Sequence, residues 1–288
     1  MHSFKLKQFR TVPLVKGGGS AAGGGFMNLF LKELKFNRKA LIIWSVSMVL
    51  LVYVCIAKFE TIASMGSAVS DVFNSLPKIA KAIFGIADYD IMTIGGYFCM
   101  TYYYVVIVLA IHAIMLGSGI LSKEQKDRTS EFLMAKPISR NKVVTMKLLA
   151  SIVNILVVNV LTTVAFLGLM SKYTDLTNSI IATMGVTLLI QLLFLSIGLV
   201  ISVIRKKEKG AGGTATLVVF VMFFIGLFMD MADNLDFLRV LTPFRYFQPQ
   251  DLVFGTGFEW MYFAISAALI VGSLIITYVE YNKRDLTV

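Results

Sequence analysis

The chain has 288 residues, of which 57% are hydrophobic and only 15% charged, and its mean hydropathy is +0.78. That is more apolar surface than one soluble core of this length can bury, so a water-soluble domain is excluded and a membrane protein is implied. The formal net charge of +10 is spread over short segments between apolar runs rather than gathered on a basic soluble domain, so no nucleic-acid partner is expected.

The chain opens on a basic stretch, MHSFKLKQFRTVPLVK, then the flexible-linker composition GGGSAAGGG. Residues 1–26 read as a leader ahead of a natural start at Met27, the other reading being a native disordered tail. Residues 27–39, MNLFLKELKFNRK, carry Leu29, Phe30 and Leu34 among basic residues, the pattern of an amphipathic helix lying in the headgroup plane before the first span.

Residues 40–288 hold six runs that meet the roughly 20 residues a helix needs to cross about 30 Å of hydrocarbon. They cover 40–57, 97–121, 148–170, 180–204, 214–229 and 260–279, and none has Asp, Glu, Lys or Arg in its interior. The predicted fold is therefore an all-α integral membrane protein with six transmembrane helices. Of the 27 Lys and Arg, 21 fall in the two terminal segments and the loops after the second and fourth spans, against 6 in the alternate loops. By the positive-inside rule both termini are cytoplasmic. Cys55 and Cys99 lie within or beside apolar runs without CxxC spacing, and read as small buried hydrophobes.

After the first span, Val72, Phe73, Leu76, Ile79, Ala80, Ile83 and Phe84 fall on one face of a helix, with Gly85 as a stop and Pro77 against one unbroken helix. An interfacial helix packed on the span ends and a lid over an exit both fit. Tyr97, Tyr102, Tyr103 and Tyr104 suit an aromatic interfacial belt. Residues 230–257, with Asp230, Asp233, Asp236, Pro243 and Pro249, form a second outer connection, re-entrant or interfacial.

The most polar twenty residues are KEQKDRTSEFLMAKPISRNK, 123–142. Burying their eight charges between Lys123 and Arg140 would cost on the order of 20 kcal/mol, so they stay in water. Thr129 is a candidate helix cap, Glu131 sits near the positive end of the dipole, Phe132, Leu133 and Met134 form a small apolar patch, and Pro137 ends the helix. A solvated hairpin supplying positive charge is one reading; a rigid knob that a soluble partner grips is the other.

These residues resemble the type-2 ABC transporter permeases. The likeness is carried by Glu124, the RTSEFL of Arg128 to Leu133, the KPISR of Lys136 to Arg140, and Lys147, with SLPKIAKAIFG (75–85), LTPFRYFQPQDLVFG (241–255) and the YNKRDL tail in support. The family's usual glycine before the threonine is replaced by Asp127 and Arg128. The resemblance implies a coupling helix, formed by Glu124, Asp127, Arg128, Thr129, Glu131, Phe132, Leu133, Pro137 and Arg140, docked in a groove of a cytoplasmic ATPase. It also implies two ATP-binding subunits that carry ATP and Mg, a second permease copy or paralogue, and a bacterial plasma membrane. The expected activity is export of an amphipathic or antimicrobial peptide or a hydrophobic drug.

No GxxxxGK[ST] occurs, so the energy source is another chain. Ser118 and His112 are six residues apart on one helix, on different faces, and make no protease pair; no cluster has metal-ligand spacing. Asn154, Asn159 and Gln191 lie inside spans, either as interhelical hydrogen-bond partners or lining a substrate path. An ion-coupled carrier is disfavoured because His112 is the one ionisable imidazole, ammonium, guanidinium or carboxylate group within the spans. An ATP-independent channel and a scaffold or assembly protein stay open as alternatives.

Overall fold

The computed structural model describes residues 21–66, 71–73, 75–86, 89–121, 139–205, 211–231, 235–255 and 257–283. Six helices in it are long and apolar enough to cross a membrane. They are contained in α1 (Ala21–Ile56), α4 (Ile94–Ile120), α5 (Arg140–Leu169), α6 (Thr177–Ile204), α7 (Ala211–Met231) and α9 (Trp260–Lys283), with short α2 (Phe59–Ser64), α3 (Lys78–Ile83) and α8 (Pro249–Val253) in the connections. Neighbours in sequence run antiparallel: Tyr97, at the start of α4, donates its hydroxyl to the carbonyl of Cys55 near the end of α1 at 2.8 Å. The starts of α1, α5 and α7 therefore share one face, the terminus face, with the ends of α4, α6 and α9.

Two helices form the centre. The apolar windows of α4 and α6 are 56% and 61% buried, against 17–33% for the other four, and these two make the most extensive contact in the bundle. Small residues permit it. A Cβ on Gly117 would meet the Leu195 carbonyl oxygen, and one on Gly198 the Ile114 carbonyl oxygen and, at 2.9 Å, the Ser118 nitrogen. Two facing glycines thus bring the backbones together where lipid supplies no hydrophobic drive for helix association and packing must supply it. On the outer helices, large apolar residues such as Ile43, Val160, Phe228 and Ile275 stay exposed, as a lipid-facing surface requires.

Several boundaries differ from expectation. Residues 27–39 are not a piece of their own: α1 runs without a break into the first span, because the junction Phe36-Asn37-Arg38-Lys39-Ala40 holds no Gly or Pro to stop it. The third span's helix begins eight residues early, at Arg140, since residues 140–147 hold no Gly or Pro and bury Val143, Val144 and Met146 against the bundle. Pro77 does divide the outer segment. It is the N-cap of α3 at φ −56° and ψ 151°, and Gly85, at φ +67°, ends the next turn. The predicted apolar face does not pack inward, however: Val72, Ile79 and Ile83 are more than half exposed, and Ala82 and Ile86 are the buried residues.

Nor do the tyrosines form an outward belt. Tyr97 and Tyr102 are buried, Tyr102 shares a 2.8 Å hydrogen bond with Thr187 of α6, and Tyr103 and Tyr104 donate to the carbonyls of Ala82 and Phe84. Each phenol satisfies a polar group that lipid could not. Opposite the terminus face, 3₁₀ turns at Asp236–Leu241 and Pro243–Arg245 lead into α8. Buried Tyr246 and Phe247 pack there against Tyr262 and Phe263 of α9, closing the far end of the bundle.

The glycine crossing is open to test. Gly198→Ala should lower stability by about 1–3 kcal/mol, because the methyl must displace backbone rather than a flexible side chain. Gly185→Ala, on the same helix with open space around it, should be neutral or slightly stabilising. Thermal unfolding in detergent measures both.

Candidate functional site

Residues 122–138 lie outside the described residues, and with them Glu124, Asp127, Arg128, Thr129, Glu131, Phe132, Leu133 and Pro137. What the structure shows is how the two roots of that segment are held. α4 delivers the chain into it after Leu121, and α5 receives it at Ser139, whose carbonyl accepts from the Val143 amide at 3.2 Å.

Lys147 lies two turns into α5, about 10 Å from the helix start, and is fully buried. Its ammonium donates to the Ile120 carbonyl at 2.6 Å and to Glu33 Oε1 of α1 at 3.2 Å. Ile120 is the last residue of α4, so its carbonyl is one of four that an α-helix end leaves without an internal partner, and a cation there also meets the negative end of the dipole. Glu33, 5% exposed, supplies the balancing charge. One side chain thus joins the root of the outgoing helix, the root of the returning helix and the first helix of the chain. Serving as both cap and ion pair is what makes a buried lysine tolerable beside the membrane.

The other side of the α5 root is tied to the last helix. Arg140 donates to the Asn282 carbonyl at 2.8 Å, Asn282 Nδ2 donates to Asn141 Oδ1 at 2.6 Å, and Thr145 shares a 2.8 Å hydrogen bond with Tyr278. The Asn282 carbonyl belongs to the final turn of α9, and Arg140 satisfies it as Lys147 satisfies Ile120. Arg140 is the one predicted coupling residue within the described residues.

At membrane depth, Asn159 Nδ2 of α5 donates to Gln191 Oε1 at 2.9 Å and to the Met184 carbonyl at 3.2 Å, both on α6. Asn154 donates to the Ala150 carbonyl of its own helix at 2.7 Å. All three of Asn154, Asn159 and Gln191 are buried, so the structure joins Asn159 to Gln191 and leaves Asn154 apart. Such a bond contributes about 0.6 kcal/mol. Elsewhere, Ser118 donates to the Met115 carbonyl at 3.1 Å, while His112 packs against Trp44, ring centres 5.1 Å apart. No three His, Cys, Asp or Glu side chains converge among the described residues.

Sequence reasoning missed Glu33, Asn282 and the Tyr278–Thr145 pair. The available signal was weak but physical: Glu33 is the single acid in a basic amphipathic stretch, and Lys147 is the one charge of α5 beyond its first turn, which holds Arg140 and Lys142. Removing one partner of a buried pair costs about 3–5 kcal/mol, since the other charge stays buried. Lys147→Met should therefore lower stability by roughly that amount, and Glu33→Gln/Lys147→Met by less than the two single changes added together. A double-mutant cycle on unfolding midpoints reads the difference.

Residues 27–286 match the family described as ABC-2 family transporter protein. No match is found among curated proteins. Six membrane-crossing helices and a match over nearly the whole chain agree, and the chain belongs to the ABC-2 transporter family, as a membrane subunit of an ABC transporter.

Proposed function

We propose that the chain is the permease of an exporter driven by two separate ATP-binding subunits that hold ATP and Mg. It pairs with a second permease copy or a paralogue in a bacterial plasma membrane, with both termini cytoplasmic. The polar segment 122–138 is the handle those ATPases grip, through Glu124, Asp127, Arg128, Thr129, Glu131, Phe132, Leu133, Pro137 and, at its base, Arg140.

The observation that carries this reading is the Lys147 clamp. A loop that served only as a tether would need no buried lysine joining its two roots, whereas a lever does: displacement of the segment is useful only if both roots move together and carry α1 with them. Ties from Arg140 and Thr145 to α9 extend the same rigid body to the last helix. The charge asymmetry of the loops supports the orientation. The charge-free interior of the spans suits an amphipathic or antimicrobial peptide or a hydrophobic drug as cargo. Asn159 and Gln191 act first as interhelical glue, and they border a substrate path only if the α5–α6 contact opens during transport.

Pull-down of the chain from native membranes should recover a soluble ATPase carrying a Walker motif. Glu131→Lys and Arg128→Glu should each abolish that recovery while insertion is unaffected. Recovery of the permease alone, with both variants behaving like the parent, would turn the assignment to a scaffold or an ATP-independent channel. Asn159→Leu should leave ATPase recovery unchanged, and transport assayed in the same vesicles tells whether the side chain borders the path.

A further inference from the structure

On the far face, opposite the clamp, a cavity of about 290 Å³ opens between α3, α4, α7 and the turns before α8. Part of its wall is apolar, formed by Val106 and Ile107 of α4 with Phe223 and Leu227 of α7, beside Tyr102, Tyr103 and the Gln248–Gln250 turn. Its rim is basic, with Lys78 and Lys81 of α3.

Of the charges that line the cavity, Arg245 and Asp230 cancel one another, and Lys78 and Lys81 are left. Arg245, which also lines the cavity, pairs with Asp230 and donates to the Gly226 carbonyl at 3.2 Å. Lys78 and Lys81 have no acidic or hydrogen-bonding partner among the described residues. They are three apart on one short helix, so they sit side by side, and like charges at that spacing repel. α3 turns its other side, Ile79 and Ile83, each 52% exposed, away from the cavity. A six-residue helix with apolar residues on one side and lysines over an apolar cleft on the other belongs at the level where acyl chains meet headgroups.

We propose that this cavity binds an anionic membrane lipid: a phosphate-ester headgroup between Lys78 and Lys81, with the start of an acyl chain between α4 and α7. Free phosphate offers the same headgroup chemistry, but the Val106, Ile107, Phe223 and Leu227 walls lie within spans and match hydrocarbon. A bound phosphate diester also removes the lysine–lysine repulsion and ties α3 to the bundle. The site is independent of the coupling reading and of cargo.

Native mass spectrometry of the detergent-purified full chain, titrated with phosphatidylglycerol or phosphatidylcholine, tests it. Two lysines contributing about fivefold each give a preference for phosphatidylglycerol of roughly 25-fold. In Lys78→Gln/Lys81→Gln, at exposed and half-exposed positions where folding is not at stake, the preference should fall to within about threefold. Leu227→Trp, which fills the cavity, should also abolish it with the unfolding midpoint checked in parallel. Lys172→Gln, an exposed lysine on the same face paired with Glu60 at 2.9 Å, should leave it unchanged. Equal retention of the two lipids by the parent protein would overturn the proposal. So would a preference that survives both cavity variants, or one that Lys172→Gln removes as well, which would indicate general surface charge. Competition by glycerol 3-phosphate at concentrations comparable to the lipid would show that the acyl chain plays no part and overturn the lipid assignment.

Discussion

The close crossing of α4 and α6 at Gly117 and Gly198 is the constraint on which the remaining geometry depends. In hydrocarbon, two helices gain little by hiding apolar side chains from each other, because lipid tails are equally apolar; they gain by dispersion at short range and by backbone polarity. Glycine at both facing positions lets carbonyl oxygens lie where a methyl would otherwise be. Once that distance is set, Ile120 is placed one turn beyond Gly117 on the same helix. Its carbonyl must find a donor there, and Lys147 is held at 2.6 Å from it. The clamp beneath the polar segment is therefore a consequence of the packing above it.

From the same crossing, polar contacts are spaced along the central pair toward the far face. Gln191 reaches Asn159 of α5, and Thr187 reaches Tyr102, one helical turn apart on α6. Beyond them, Gly95 accommodates Val253 of α8, where a Cβ would lie 2.7 Å from the valine methyl. Each contact is weak alone. Together they fix the rotation of α4, α5 and α6 about their axes, which apolar packing against lipid leaves undetermined.

Much of this was legible in the sequence where one physical signal dominates. Six charge-free runs gave six helices, because charge at membrane depth is costly and backbone must bond within its own segment. Pro77 and Gly85 broke the outer segment where their backbone restrictions required. Signals that depend on two elements meeting were not legible. Ser118 draws attention by its chemistry, while Gly117 beside it sets the crossing, and only the facing Gly198 reveals that. The tyrosines at 97–104 have the composition of a lipid-facing belt, yet find acceptors on Cys55, Thr187, Ala82 and Phe84. Periodicity on residues 72–84 spans the break at Pro77, so it gives neither one continuous face nor its direction; in a membrane an exposed apolar residue is as stable as a buried one.

The same reversal explains why ion pairs, usually marginal contributors at protein surfaces, matter at the terminus face. Glu33 and Lys147 are buried in the protein beside helix ends whose carbonyls still need partners. Apolar packing joins the helices there as well, through Leu29, Ile120, Val143, Val144 and Met146, but it leaves the direction of the contact open. A charged donor that caps one helix while pairing with another supplies a connection with a fixed direction. Separating its members would strand a charge in a dry site. The bases of α4 and α5 are thereby tied to each other and to α1 where residues 122–138 begin and end, while α1, α7 and α9 keep large apolar residues exposed.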